Sequence, residues 1–205
     1  RKDCNGPWKT ILFIGDTLTG KSTTINSMVN YLMAVGLNDP FTYKLVPDTP
    51  AEHGAVVSSQ TKDVTAYNFY PLQPGIHYGI TIIDSPGFCS SVGTEENRAT
   101  WKKIQGYVEN ELSNIDAVCI TIRAGSSCWS PSQQYCYEKI LKLFGNDIVQ
   151  NIFTFITFSD TETPLMTTGV RQIAGHCQGR CVKLNTSAFL RGFHHPRKNE
   201  DVAVN

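Results

Sequence analysis

The sequence lacks an excess of charge of either sign, because 18 lysines and arginines balance 18 aspartates and glutamates. A chain without net charge has no global field that draws it to nucleic acid or to an anionic membrane, so any recognition of an anion has to be local. Internal repeats and low-complexity segments are also absent. With 205 residues, of which 40% are apolar, the chain is too apolar for disorder and long enough to bury the core of one domain.

Long apolar runs and a regular cysteine framework are missing as well. No apolar run approaches the roughly 18 residues that cross a bilayer, and the N-terminus does not resemble a signal peptide. The seven cysteines are scattered and odd in number, which disfavours a secreted disulfide framework and favours a reducing compartment. Because the sequence begins at Arg1, we expect a fragment of a longer protein. We expect a cytoplasmic location, with membrane contact only through segments outside this sequence.

A group of cysteines and histidines near the C-terminus allows a second interpretation, a zinc site. Its candidate ligands are His176, Cys177, Cys181, His194 and His195. Their spacing does not match a common zinc motif, so we expect no zinc there.

Residues 15–22 have the sequence Gly-Asp-Thr-Leu-Thr-Gly-Lys-Ser, with the spacing of a phosphate-binding loop. The apolar run at residues 11–14 predicts a buried strand before the loop, and apolar residues at helical spacing predict a helix over residues 23–35. In this context the main-chain N–H groups of the loop and the helix N-terminus can surround a phosphate. The alternative is a chance match on a glycine-containing turn. The residues expected to contact the phosphates are Gly15, Asp16, Thr17, Leu18, Thr19, Gly20, Lys21, Ser22 and Thr23.

Residues 84–87, Asp-Ser-Pro-Gly, directly follow the apolar run at residues 80–83. Asp84 can hold Mg²⁺ through a water molecule, opposite Ser22, whose hydroxyl oxygen would bind the ion directly. Gly87 can turn its main-chain N–H towards a γ-phosphate. A strand that ends in an ordinary Pro-Gly turn is the alternative interpretation.

Between these motifs, the segment Ser-Ser-Gln-Thr at residues 58–61 precedes a predicted strand. Thr61 occupies the position of a switch threonine, whose hydroxyl oxygen would bind Mg²⁺ and whose N–H would reach the γ-phosphate. Thr65 is the rival candidate, but it lies within the strand, and a plain polar loop is the alternative to both. We predict a metal site formed by Ser22, Thr61 and Asp84, and catalytic roles for Lys21, Thr61 and Gly87.

A base-reading site is predicted where the later strands end. Asp160 follows the strand predicted at residues 152–158, and its carboxylate can accept two hydrogen bonds from the Watson–Crick edge of guanine, which adenine cannot supply. The alternative is a turn or helix-capping role for Asp160. After the last strand, Asn-Thr-Ser-Ala at residues 185–188 places small residues where main-chain N–H groups can approach a guanine carbonyl oxygen. The residues expected at the base are Thr157, Asp160, Ser187 and Ala188.

Strands that alternate with helices predict an α/β fold, a three-layer sandwich around a mostly parallel sheet of six strands. A hairpin of the second and third strands makes one strand antiparallel. The predicted strands cover residues 11–14, 64–70, 78–84, 117–122, 152–158 and 182–185. The predicted helices cover residues 23–35, 95–112 and 130–144, with a long loop at residues 36–60. We assign residues 1–193 to one domain and residues 194–205 to a polar tail.

The nucleotide motifs and three further blocks carry a family resemblance. The blocks are residues 116–123, 130–134 and 143–145. Over roughly residues 9–190 the chain resembles the P-loop GTPases, and within them the immunity-associated GIMAP-like group, which is related to septins and to chloroplast import-receptor GTPases. The resemblance implies a G domain that binds GTP or GDP with Mg²⁺, hydrolyses GTP and forms homodimers or homo-oligomers across the nucleotide face.

Two residues depart from the family pattern. Phe158 stands where the base-reading motif has lysine, and an aromatic ring there could still pack on the base. Phe88 follows Gly87 in place of the glutamine that orients water in Ras-like enzymes. We therefore expect slow hydrolysis in the monomer, with the missing group supplied by a partner subunit or protein. His53, in the long loop, is a conceivable substitute.

Two other function classes remain open. A module that holds GTP or GDP as an assembly scaffold, without hydrolysing it, is favoured by the phenylalanine at position 88. A P-loop kinase or ATPase is the weaker alternative, because it requires a second substrate site and no base-reading aspartate. No nucleic-acid partner is expected in any of these classes.

Overall fold

The computed structural model describes residues 6–36, 38–46, 61–89, 95–124, 130–159 and 180–186, together with the backbone of residues 203–204. Three of the predicted base-contacting residues lie outside the described residues, namely Asp160, Ser187 and Ala188. The same holds for His53 and, among the candidate zinc ligands, for all except Cys181.

The described strands form one mixed sheet within an α/β fold. They are β1 (Trp8–Gly15), β2 (Thr65–Phe69), β3 (Gly79–Asp84), β4 (Ala117–Arg123), β5 (Ile152–Thr157), β6 (Cys181–Lys183) and β7 (Ala203–Val204). Their order in the sheet is β6-β5-β4-β1-β3-β2-β7. β2 runs antiparallel to β3, whereas the neighbours from β3 across to β6 are all parallel. The prediction of six strands with one antiparallel member is confirmed, and β7 adds two residues that pair antiparallel with β2.

The helices are α1 (Lys21–Leu32), α2 (Glu95–Glu111) and α3 (Pro131–Phe144), followed by a short 3₁₀ helix at Asn146–Asn151. α1 ends earlier than predicted, because Ala34 has a φ of 56°, which an α-helix cannot continue. α3 begins as its sequence indicates: the Ser130 hydroxyl accepts from the main-chain N–H of Gln133, whose side chain accepts from the N–H of Ser130. None of the described helices is both long and apolar enough to cross a membrane.

Each face of the sheet carries its own apolar core. In β1, Leu12 and Ile14 pack into the core that contains residues of α2 and α3, whereas Phe13 packs into the core that contains residues of α1. This alternation follows from the period of two along a strand. Helices therefore cover both faces, and the predicted three-layer sandwich is confirmed. Cys119 lies in the second core as a free thiol.

Parallel pairing determines where functional side chains meet. β1, β3, β4 and β5 run in the same direction, so their carboxyl ends lie along one edge of the sheet. The segments that follow these strands gather at that edge, which is the common location of ligand sites in open α/β sheets.

Candidate functional site

The loop at residues 16–20 connects β1 to α1 and lies against β4. At Gly15, where φ is 153°, a Cβ atom would lie 2.6 Å from Thr121 Oγ1 and 2.7 Å from the Thr121 carbonyl oxygen. A side chain cannot fit there, so the close approach of loop and strand requires glycine. At the other end of the loop, the Gly20 carbonyl oxygen accepts from the N–H of Thr24 at 2.8 Å and begins the helix. The free N–H groups of the first helical turn therefore lie beside the loop and favour an anion.

Buried threonine hydroxyls fix the loop to the sheet. The Thr19 hydroxyl donates to the Asp16 carbonyl oxygen at 2.8 Å and lies 2.7 Å from Thr121 Oγ1. The Thr157 hydroxyl contacts two carbonyl oxygens, those of Thr19 at 2.7 Å and Ile122 at 3.0 Å. Sequence reasoning missed Thr121, although a polar residue inside the apolar strand β4 is a signal that could have found it. The hydroxyl of Thr157 thus holds the loop, and the expected contact of Thr157 with the base stays a prediction.

Lys21 lies over the loop with only 6% of its surface exposed. Its Nζ donates to the carbonyl oxygens of Gly15 at 3.1 Å and Asp16 at 2.8 Å. Burial lowers the pKa of Lys21, and the negative charges of Asp84 and Asp16 act in the opposite direction. A buried ammonium group is thus held beside the loop, in the position to meet a bound anion.

Asp84, the last residue of β3, is fully buried beside this lysine. Its Oδ2 accepts from the Thr61 hydroxyl at 2.9 Å, while its Oδ1 is buried without a hydrogen-bond partner among the described residues. Burial raises the pKa of Asp84, whereas the hydroxyl of Thr61, the charge of Lys21 and the hydroxyl of Ser22 each oppose that shift. One carboxylate with a free oxygen and two hydroxyl groups make an all-oxygen set that suits Mg²⁺. The rival Thr65 lies in β2, opposite Asp84 in the strand register.

The segment that follows β3 lies directly against the loop. A Cβ atom at Gly87 would lie 2.7 Å from both Cα and Oγ1 of Thr17. Asp16 and Phe88 form a parallel bridge just beyond it. Gly87 therefore packs against the loop at a position where space requires glycine, and its contact with a γ-phosphate stays a prediction.

Phe88 points away from the loop into the interior. Its side chain has no exposed surface, and its ring packs edge-on against Tyr135 of α3, with the ring centroids 6.3 Å apart. An apolar ring in this position cannot orient a water molecule in the pocket. Phe88 therefore cannot take the place of the glutamine that orients water in Ras-like enzymes.

Asp16 was expected to contact phosphate, and its side chain turns towards α3. Its Oδ2 accepts from the Ser130 hydroxyl at 3.1 Å, which lies 2.8 Å from the Ser132 hydroxyl. Burial raises the pKa of Asp16, and the hydroxyls of Ser132 and Ser130 and the charge of Lys21 lower it. The main chain of Asp16 thus lies in the loop while its carboxylate links the loop to the start of α3.

These elements enclose one open pocket. Its lining residues are Thr17, Leu18, Gly20, Lys21, Ser22, Thr23, Thr61, Gly87 and Phe158. The structure therefore brings the predicted phosphate loop, the predicted switch threonine and the predicted γ-phosphate glycine to one cavity. Phe158, which sequence reasoning treated as a departure from the family pattern, lines the same cavity.

The candidate zinc ligands can be examined only in part, because most of them lie outside the described residues. Within the described ranges there is no group of three or more histidine, cysteine, aspartate and glutamate side chains that could hold a metal ion. Cys181, the described member of the candidate zinc set, is a free thiol in β6.

Comparison with known proteins agrees with this geometry. The model of the AIG1 family matches residues 9–189 of the chain. No curated protein sequence matches the chain at a significant level.

Solved structures share the fold at low sequence identity. Toc33 from Arabidopsis thaliana, in complex with GDP and Mg²⁺, is 16% identical with a TM-score of 0.61, and the match covers 98% of this chain and 77% of Toc33. A second structure is 17% identical to this chain. Its description states that dimerization is important for the GTPase activity of the chloroplast translocon components atToc33 and psToc159. Its TM-score is 0.59, with 90% of this chain and 72% of that chain covered. The G domain of the T. maritima FeoB iron transporter is 16% identical with a TM-score of 0.50, covering 88% of this chain and 89% of that chain.

Proposed function

The chain belongs to the AIG1 family, and on that premise we propose that it is a G domain that binds GTP or GDP together with Mg²⁺. The observation that carries the proposal is the pocket shared by the phosphate loop, the buried ammonium group of Lys21 and the hydroxyls of Ser22 and Thr61. Toc33, which has the same fold, was solved with GDP and Mg²⁺, and this supports the choice of ligand.

Each side chain has a role that follows from its position. The first N–H groups of α1 hold the β-phosphate, and Lys21 exchanges its loop carbonyl oxygens for oxygens of the β- and γ-phosphates. Ser22 and Thr61 bind Mg²⁺ through their hydroxyl oxygens, and Asp84 holds it through water with its free Oδ1. When bound, Mg²⁺ neutralises charge that develops on the phosphates. The N–H of Gly87 binds the γ-phosphate and releases it after hydrolysis.

Hydrolysis is slow in the isolated monomer, because the residue after Gly87 is a buried phenylalanine. In this proposal two protomers, or several, associate across the nucleotide face when GTP is bound. A partner then supplies the group that positions water. The solved relative whose description links dimerization to GTPase activity supports this arrangement.

Nucleotide preference is the first test. Titration calorimetry of the wild-type protein with GTP, GDP and ATP should show binding of the guanine nucleotides and much weaker binding of ATP. Asp160→Asn should shift the preference towards xanthine nucleotides, because an amide group presents a donor where guanine also presents one. Equal affinity for ATP would overturn the guanine assignment, and an unchanged preference in the variant would leave Asp160 as a turn residue.

A non-hydrolysing scaffold is the second candidate, favoured by the burial of Phe88. Single-turnover phosphate release from monomeric and dimeric fractions separates the two functions. A rate of phosphate release per protomer that rises with protein concentration supports the assembly-dependent GTPase. No phosphate release at any protein concentration supports the scaffold. The mass of the particle in solution, measured with GDP and with a non-hydrolysable GTP analogue, shows whether assembly depends on the γ-phosphate.

We propose the same domain limits and location as expected from the sequence, with the nucleotide-binding domain at residues 1–193 and a cytoplasmic site of action. The free thiols of Cys89, Cys119, Cys136 and Cys181 are compatible with a reducing compartment.

A further inference from the structure

Helix α2 holds the segment that begins with Thr61. Lys103 of α2 donates from its Nζ to the main-chain carbonyl oxygen of Lys62 at 2.7 Å and to Oδ1 of Asp63 at 2.6 Å. Val64, the next residue, is partly buried and packs against the core that contains residues of α2. Each of the three residues after Thr61 therefore contacts α2 or the core that α2 enters.

The same helix holds the segment that follows Gly87. The buried side chain of Asn97 accepts from the main-chain N–H of Cys89 at 2.8 Å and donates to the Cys89 carbonyl oxygen at 3.1 Å. The Cys89 thiol donates to Oε2 of Glu96 at 2.9 Å. Phe88, between Gly87 and Cys89, belongs to the core that contains residues of α2. Cys89 therefore cannot move away from α2 without breaking both hydrogen bonds to the amide group.

The two contacts of α2 differ in burial and therefore in strength. The hydrogen bonds of Asn97 are buried or partly buried, so breaking them exposes polar groups that have no water beside them. The side chains of Lys103 and Asp63 are 48% and 76% exposed, and exposed ion pairs stabilise a protein only slightly. The contact of Lys103 can therefore open and close at small cost while that of Asn97 stays closed. A segment that takes new partners when Mg²⁺ and a γ-phosphate bind requires such a contact.

We propose that Lys103 is a positioning residue that holds Thr61 beside Asp84 for Mg²⁺, so that α2 connects the metal-binding threonine to Gly87. This inference rests on the proposed function, because it concerns the metal and the γ-phosphate of the same nucleotide. Lys103 is not among the described residues that line the pocket, so it acts through the main chain of Lys62 rather than on the nucleotide. A segment that is already held in place loses less conformational freedom on binding, which raises the affinity.

The test is a titration of nucleotide binding with Mg²⁺. Lys103→Met keeps the aliphatic stem and removes the donors, so the affinity for Mg²⁺ with a non-hydrolysable GTP analogue should fall on the order of 2- to 10-fold. The loss with GDP should be smaller, because only a γ-phosphate engages the N–H of Thr61. Lys103→Arg keeps a cationic donor and should retain the affinity. Lys102→Met is the matched control, since it removes an exposed lysine of the same helix and should bind as the wild type does. Equal losses in the Lys102 and Lys103 variants, or equal losses for GDP and the GTP analogue, would overturn the positioning role.

Double variants separate positioning from a merely structural role. In the Thr61→Ala background, Lys103→Met should have no further effect on the affinity for Mg²⁺, because no hydroxyl remains to be positioned. A loss of full size in that background would overturn the role. The connection through α2 is tested with Gly87→Ala, where the combined loss of affinity for the GTP analogue should be smaller than the product of the two separate losses. Losses that multiply would overturn the connection.

Failure of the proposed function gives a different pattern of results. A wild-type protein that binds neither GDP nor the GTP analogue would overturn both proposals. If the wild type binds with Mg²⁺ and Thr61→Ala lowers that affinity while Lys103→Met does not, the proposed function stands and the positioning role is overturned.

Discussion

The main-chain N–H of Thr17, in the phosphate-binding loop, donates a hydrogen bond to the carbonyl oxygen of Phe88 at 2.8 Å. In return, the N–H of Phe88 donates to the carbonyl oxygen of Gly15 at 3.2 Å. The loop and the segment after β3 therefore share main-chain hydrogen bonds, and Gly87 of that segment packs against Thr17 of the loop. A displacement of one has to be accommodated by the other, which is the coupling that a γ-phosphate sensor requires.

Gly87→Ala should weaken binding of a non-hydrolysable GTP analogue on the order of 10-fold, with a smaller effect on GDP. The added methyl group would overlap Thr17 and push the Gly87 N–H away from the γ-phosphate. Calorimetry with both nucleotides measures the difference. Gly106→Ala in α2 is the matched control, because nothing lies within 4 Å of a Cβ atom there. An equal loss for GDP and the GTP analogue would contradict the placement of Gly87 at the γ-phosphate.

The features that sequence reasoning predicted correctly are encoded over short distances along the chain. The strand, loop and helix around residues 15–22 are adjacent, and their order alone predicts the geometry of the loop. The start of α3 is similar, because a serine, a proline and a glutamine within four positions specify the cap. The alternation of apolar segments with helices was also enough to predict the layers and the parallel sheet.

The features that sequence reasoning missed depend on contacts between distant residues. The hydrogen bond from Ser130 to Asp16 joins residues 114 positions apart, and that between Thr19 and Thr121 joins residues 102 positions apart. No local pattern indicates that the Asp16 side chain turns away from the loop. Strand β7 pairs with β2 through two residues, too few to produce a period.

Asp16→Asn should stabilise the protein near neutral pH, by an amount that shrinks as the pH falls. Burial raises the pKa of Asp16, so folding favours the protonated carboxyl group. The stability that the protonated Asp16 carboxyl group contributes to the folded state is present below its unfolded pKa and is lost as the pH rises through its folded pKa. Asparagine carries no charge and still offers an acceptor to Ser130. Urea unfolding at neutral pH, and again at a pH near the usual pKa of aspartate, measures the difference in the free energy of unfolding between Asp16→Asn and the wild type. A difference of equal size at both pH values would contradict the argument.

Asp84→Asn should raise the free energy of unfolding by about 1 kcal/mol in the absence of metal, because it removes a buried charge, one oxygen of which has no hydrogen-bond partner among the described residues. The same variant should lose the dependence of nucleotide affinity on Mg²⁺. Asp116→Asn is a suitable control, since Asp116 pairs with Lys9 on the surface and lies outside the pocket. Retention of the Mg²⁺ dependence in Asp84→Asn would remove Asp84 from the metal site.

Thr61→Ala should lower the affinity for Mg²⁺ in the nucleotide complex on the order of 10-fold, whereas Thr61→Ser should retain it. The hydroxyl that reaches Asp84 at 2.9 Å is preserved by serine and lost with alanine. Thr65→Ala in β2 tests the rival threonine. Titration of nucleotide binding with Mg²⁺ distinguishes them, and a loss confined to the Thr65 variant would reverse the assignment.

Phe88→Gln should not accelerate GTP hydrolysis by the monomer, although it introduces the glutamine of Ras-like enzymes. The side chain at this position is fully buried and packs against Tyr135, so the new amide would lie in the apolar core rather than in the pocket. We expect an unchanged single-turnover rate and a loss of about 2–4 kcal/mol in the free energy of unfolding. Phe88→Leu, which keeps the site apolar, should lose less stability at the same rate of hydrolysis. A glutamine variant that hydrolyses GTP faster than the wild type would mean that this side chain reaches the attacking water, and the requirement for a partner would then fall.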